Sequence, residues 1–122
     1  MAAKGYRDLV VWQKSMSLVA GIYSATKKFP KEEIYTLTSQ IRRSAISIPS
    51  NIAEGSSKYS NKEFLRFLAI ARGSVAELET QLLISKDLAY IPTTEIESLI
   101  ENTSEVARML NGLLAKLKAA ND

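Results

Sequence analysis

Apolar residues recur along this chain at steps of three and four, in four runs parted by short polar or proline-bearing segments, a spacing that belongs to amphipathic helices rather than strands. In the first run Leu9, Trp12, Met16, Val19, Ala20 and Tyr23 share one face, Asp8 stands where an N-cap belongs and Pro30 closes the segment. A helix is therefore predicted from Asp8 to about Lys28. The second run, from about Lys31, aligns Ile34, Leu37, Ile41, Ala45, Ile48 and Ile52, with Glu32 and Glu33 near the positive helix start. Pro49 interrupts it: without an amide hydrogen and crowding the preceding turn, it predicts a kink or restart between Ser47 and Ser50, and Gly55 the end of the helix.

Ser60 followed by Glu63 reads as a capping box for a third helix, drawn to about Asp87. Here Phe64, Leu68, Ala71, Val75, Leu78 and Leu82 form a stripe at alternating steps of four and three. Leu65, Ala69, Ala76 and Leu83 form a second stripe about 100° away. One bundle core cannot absorb both, so the second stripe asks for an oligomer. Pro92 and the Thr94/Glu97 pair open a fourth helix with Ile96, Leu99, Ile100, Val106, Leu110, Leu113, Leu114 and Leu117 on a single face. Short connections and no strand pattern make an all-α, antiparallel up-and-down four-helix bundle the economical architecture, with its second helix kinked near Pro49. A length of 122 residues, 46% of them hydrophobic, suits a single domain over residues 1–122 that can bury a core without staples.

Composition then removes whole classes of chemistry. The chain has neither cysteine nor histidine, which excludes disulfides, thiolate chemistry and the common zinc sites. Without a histidine base, nucleophilic catalysis would need a serine–lysine pair or an activated carboxylate, and no spacing singles one out. Glu77 and Glu79, two residues apart, point about 200° apart on a helix and cannot chelate one ion together. The expectation is a protein that is not an enzyme and carries no cofactor and no metal. No apolar run suits a signal peptide or a membrane span, so a cytoplasmic location without membrane partners is expected.

Charge changes the picture more than its small total of +3 suggests. Residues 1–72 hold 12 Lys/Arg against 5 Asp/Glu, whereas residues 73–122 hold 4 against 8. Such a split suits an anionic partner for the basic part or charge-complementary packing between copies. Arg42, Arg43, Asn51 and Glu54 stand within an otherwise apolar helix, and polar groups away from water must be paired with another helix, another subunit or a ligand. Two readings stay open. In one, Arg42, Arg43, Asn51, Glu54, Glu77 and Glu79 form a structural polar network; in the other, Arg42 and Arg43, with Arg72, recognise phosphate. Lys58, Lys62 and Arg66 are the candidate exposed nucleic-acid contacts, with Tyr59 beside them, although a merely solvated face has the same pattern. Trp12, Tyr23, Phe64 and Phe67 read as core. Gly73-Ser74, inside the third helix, suggests a closely approaching backbone.

Several blocks together resemble a known family: Asp8-Leu9-Val10-Val11-Trp12, Phe29-Pro30-Lys31-x-Glu33, Gln40-Ile41-Arg42-Arg43, Ser47 to Gly55 (Ser-Ile-Pro-Ser-Asn-Ile-Ala-Glu-Gly), and Gly73-Ser74-x-x-Glu77-Leu78-Glu79-Thr80-Gln81-Leu82. From Tyr6 to Leu117 the chain is similar to the four-helix-bundle family of the 23S ribosomal RNA intervening-sequence proteins. The resemblance implies a bacterial protein whose relatives are encoded within insertions in large-subunit ribosomal RNA genes, and which assembles as a homopentamer of four-helix bundles. A related branch, the accessory variability determinant proteins of diversity-generating retroelements, implies nucleic-acid binding beside a reverse transcriptase. The expectation that joins both is a non-enzymatic homo-oligomeric adaptor for RNA or a nucleoprotein. The alternatives are a protein–protein scaffold without nucleic-acid binding and a reverse-transcriptase accessory protein.

Overall fold

The computed structural model describes residues 5–121; residues 1–4 and 122 of the expected domain lie outside the described residues. Four helices follow in order: α1 (Val10–Thr26), α2 (Leu37–Ser56), α3 (Asn61–Asp87) and α4 (Thr93–Asn121), with no strand among the described residues. Two 3-10 turns, Gly5–Asp8 and Lys31–Glu33, precede α1 and α2. Each helix packs on its neighbours in sequence and α1 closes on α4, while the backbones of the diagonal pairs stay more than 8 Å apart, Cα to Cα. This is the up-and-down four-helix bundle that the pattern predicts. No helix of the described residues is long and apolar enough to cross a membrane.

Branched aliphatic side chains fill the core: Leu18 and Ile22 from α1, Ile41, Ile48 and Ile52 from α2, Leu68, Leu78 and Leu82 from α3, and Ile96, Val106 and Leu110 from α4. The third helix buries the stripe read from the sequence. In α1 the inward face differs from the expected one. It runs through Val11, Ser15, Leu18, Ile22 and Ala25, while Met16, Ala20 and Tyr23 are exposed. The helix is apolar on two faces, and a serine at an inward position hides the true one. Ser15 is tolerated because its hydroxyl turns back to the carbonyl of Trp12 at 2.8 Å, as the hydroxyls of Thr26 and Thr103 do to those of Ile22 and Leu99, each at 2.7 Å.

The ends of the helices depart from the sequence reading in detail. Asp8 belongs to the 3-10 turn, and the N-cap position of α1 is Leu9, which makes no side-chain capping bond. The segment from Lys31 forms a 3-10 turn, so α2 starts only at Leu37, and it then passes Pro49 without a break. No restart occurs, since a proline deletes one helical hydrogen bond and tertiary packing on both sides holds the rest. Ser60 caps α3 by accepting the Glu63 amide at 3.0 Å, whereas the Glu63 carboxylate turns to Arg66 rather than back to Ser60. At the start of α4 the Pro92 carbonyl accepts the amides of Glu95 and Ile96, and Thr94 lies within the first turn.

The α3–α4 corner is a left-handed helix ending built on alanine. Ala89 has φ +56°, its amide donates to the Lys86 carbonyl at 3.0 Å, and the Tyr90 amide donates to the Ser85 carbonyl at 3.3 Å. The turn delivers Tyr90 against Phe29, with ring centroids 5.4 Å apart, and its hydroxyl donates to Glu33 Oε2 at 2.5 Å. Both connections at this end of the bundle are thereby tied together, with Lys28 and Glu95 adding an ion pair at 2.8 Å.

Candidate functional site

Arg42 projects from the first half of α2 towards α1, where the chain has built a seat for it. Its Nε donates to Thr26 Oγ1 at 2.8 Å, and its guanidinium lies 4.6 Å from the centre of the Tyr23 ring. Tyr23 is therefore an exposed platform under a cation rather than a core ring. Arg43, one residue on, points about 100° away and is exposed. It lines a groove of about 400 Å³ between α2 and α3 with Gln40, Ser44, Ser47, Glu77 and Gln81.

Within one chain, no ion pair of the described residues joins Arg42 or Arg43 to Glu54, Glu77 or Glu79. Glu54 and Glu77 are exposed and Glu79 is half-buried. Asn51 does find a partner inside its own helix, donating to the Ser47 carbonyl at 2.8 Å and to Ser47 Oγ at 2.9 Å. Ser47 Oγ in turn shares a hydrogen bond of 2.7 Å with Ser74 Oγ, which links α2 to α3. The polar seam of a single chain is thus a run of amide and hydroxyl groups, Asn51–Ser47–Ser74, one turn beyond the arginines. Ser74, a polar residue at an inward position of a long apolar stripe, was the sequence signal for it. In the same groove, the buried Gln81 Oε1 has no hydrogen-bond partner.

The candidate basic edge lies where α2 turns into α3. Lys58, Tyr59, Lys62 and Arg66 are exposed there, and the guanidinium of Arg66 and the ammonium of Lys58 lie 4.5 and 5.5 Å from the centre of the Phe67 ring. Arg66 is the least available of the three cations, because Nη2 contacts Glu63 Oε1 at 3.1 Å. That hydrogen bond holds the Glu63 carboxyl below its usual range and raises the guanidinium further above its own. Arg72 is also exposed and reaches Asn111 Oδ1 at 3.2 Å. Among the described residues, no three carboxylates gather as they would around a metal ion.

The second α3 stripe is uncovered in the single chain. Ala69, Ala76 and Leu83 are exposed, Leu65 is half-buried, and Ile70 and Ile84 flank them on the surface. Gly73 lies in their midst with nothing within 4 Å of where a Cβ would stand, so no backbone of its own chain approaches it. A separate apolar surface runs along α1 and α2, where Trp12, Met16, Val19, Ile46, Pro49 and Ala53 line a groove of about 340 Å³.

The fold and the sequence together match a known family. The sequence profile of the 23S rRNA-intervening sequence proteins covers residues 7–112, and the chain belongs to that family. Among solved structures it is similar to a protein of unknown function from the S23 ribosomal protein family of Bacteroides thetaiotaomicron. The two share 27% sequence identity at a TM-score of 0.80, over 86% of this chain and 98% of that one. No curated protein matches.

Proposed function

We propose that the protein is a non-enzymatic homo-oligomeric adaptor, working in the cytoplasm, that binds RNA or an RNA-containing partner through its basic surface. The observation that carries the assembly is the pair of uncovered apolar faces, one on α3 around Gly73 and one between α1 and α2. Two different faces on one chain can meet face to opposite face, and heterologous contacts of this kind close into a ring where the rotation between copies allows it. Five is the number that the family resemblance implies. Patches of this kind are rarely left open to water on a soluble monomer.

The RNA part rests on charge. The basic excess of residues 1–72 is repeated in every copy of a ring, and Lys58 and Lys62 stand exposed to meet phosphates. Light scattering on the purified protein tests the assembly, with a mass several times 13.5 kDa expected. Mobility shifts on structured ribosomal RNA fragments across a salt series test the binding. Affinity is expected to fall about 10³-fold between 50 and 200 mM salt if about six phosphates are neutralised. A single-chain mass at micromolar concentration removes the ring, and absence of any shift at 50 mM salt removes the RNA. The surviving account would then be a protein–protein scaffold.

A further inference from the structure

The connection between α1 and α2 exposes a combination that the basic edge at α3 lacks. Tyr35 is 90% exposed and Ile34 beside it 46%, at the turn that leads into α2. The Tyr35 ring, so far in the open beside a half-buried arginine, has almost no packing role in its own chain, while Ile34 is partly covered and lends an apolar edge. Arg42 stands between two adjoining grooves. On one side, Thr26, Lys27, Phe29, Pro30 and Lys31 line a space of about 320 Å³; on the other, Tyr35, Ser39, Arg43 and Ile46 line one of about 370 Å³. Arg42, Ile34 and Thr38 belong to both.

The guanidinium is held in place before any ligand arrives. Its Nε is committed to Thr26 Oγ1 and its Cζ lies over the Tyr23 ring, while its two Nη nitrogens make no hydrogen bond among the described residues. A fork fixed in this way is pre-organised for a phosphate oxygen pair. The field around it is positive. Lys27, Lys31, Arg42 and Arg43 line the grooves, four cations against the two carboxylates of the connection, Glu32 and Glu33, of which Glu33 is turned to Thr36 and Tyr90.

We propose that Arg42 binds one phosphodiester of a single-stranded polynucleotide, with the base on one side stacked on Tyr35 and the base on the other lying over Phe29, Pro30 and Ile34. The inference rests on the nucleic-acid reading above and narrows it from a charged surface to a strand with its bases unstacked. A duplex offers phosphates but keeps its base faces inside, so it gains nothing from Tyr35 or from the apolar groove floor. A free phosphate gains nothing from them either.

The test uses fluorescein-labelled RNA and DNA dodecamers of one mixed sequence and the duplex of that sequence, titrated by anisotropy with the full chain at 50 mM salt. Single strands of either sugar are expected to bind at least about tenfold tighter than the duplex, because the stacking contacts are theirs alone. Tyr35→Ala, at a side chain this exposed, is expected to leave melting temperature and oligomer mass unchanged and to weaken single-strand binding about tenfold. Arg42→Lys keeps the charge and loses the fork, and about fivefold weaker binding is expected at an unchanged salt slope. Wild-type affinity in Tyr35→Ala, or equal affinity for the duplex, overturns this inference and leaves general RNA binding standing. A changed mass in Tyr35→Ala makes the tyrosine a contact between copies and overturns it too. No binding of any strand by the wild type removes both.

Discussion

A Cβ placed on Gly55 would stand 2.7 Å from the Cβ of Phe67, closer than real side chains come, and a tight 3.0 Å from Cδ1 of Phe64. The last turn of α2 therefore rests directly on the first turns of α3, and only a residue without a side chain permits it. Gly55→Ala is expected to push the helices apart and cost about 1 to 3 kcal/mol, read as a lower thermal midpoint. A midpoint equal to wild type would mean that the corner yields freely. Ala89 presents the reverse case. Its φ of +56° suits glycine, so Ala89→Gly is expected to stabilise the chain by up to about 1 kcal/mol in a denaturant titration, and a loss of stability there would show that the turn is held without strain. From the sequence Gly55 was legible as the end of α2, which closes one residue on at Ser56, but its close approach to α3 was not, and the close approach expected at Gly73 finds no partner within its own chain. A glycine inside a helical pattern signals that something is tight or bent, and only the helix phase in three dimensions tells which glycine faces the neighbour. Arg42 was read as a residue needing a partner, but its partners, Thr26 and Tyr23, lie on an element whose inward face was taken about 100° off.

At the scale of elements, helix number, order and most boundaries were legible because apolar spacing decides them, and the core stripe of α3 could be read residue by residue. What escaped was the face of α1, where Trp12, Met16, Val19 and Tyr23 compete with Val11, Leu18, Ile22 and Ala25, and periodicity has no means of choosing between two apolar faces. Also hidden was the clasp between the two connections, since Glu33 and Tyr90 lie far apart in sequence. The Glu33 carboxyl is held below its ordinary 4.5, first by the hydrogen bond from Thr36 and then by that from Tyr90, and the Tyr90 phenol is pushed above its ordinary 10.0 by the same carboxylate. The two signs bracket the clasp. A lowered carboxyl stabilises the fold fully above its unfolded value and loses this as pH falls through the folded one, while a raised phenol stabilises below its unfolded value and loses this as pH rises through its folded one. The clasp is therefore whole from about pH 5 to 9. Glu33→Gln is expected to lower the thermal midpoint at pH 7 and to leave it nearer to wild type below pH 4, where the glutamate itself is protonating. Parallel midpoints for the two proteins over the whole acid range would show that the carboxylate contributes nothing as an anion.

For the whole molecule the decisive question is what covers α3. Substitution on the face around Gly73 separates folding from assembly, because a side chain there meets nothing of its own chain within 4 Å. In an isolated bundle, replacing this glycine by a better helix former is expected to add up to about 1 kcal/mol of stability. In a ring whose neighbouring copy lies on Ala69, Gly73 and Ala76, a long charged side chain has to be desolvated or the contact given up. Gly73→Lys is accordingly expected to keep full helicity and a cooperative melt while its mass in light scattering falls to the 13.5 kDa of one chain. Gly112, exposed on α4 and equally open within 4 Å, supplies the control: Gly112→Lys adds the same charge and is expected to leave the mass of the assembly unchanged. The comparison also bears on RNA, since a single chain keeps each cation but loses the repetition that makes a modest charge bind strongly. Weaker RNA binding in Gly73→Lys, despite its added positive charge, would therefore mark the assembly as the binding unit. If Gly73→Lys keeps the wild-type mass, the α3 face around Gly73 is not a contact between copies, and the ring built on that face is overturned.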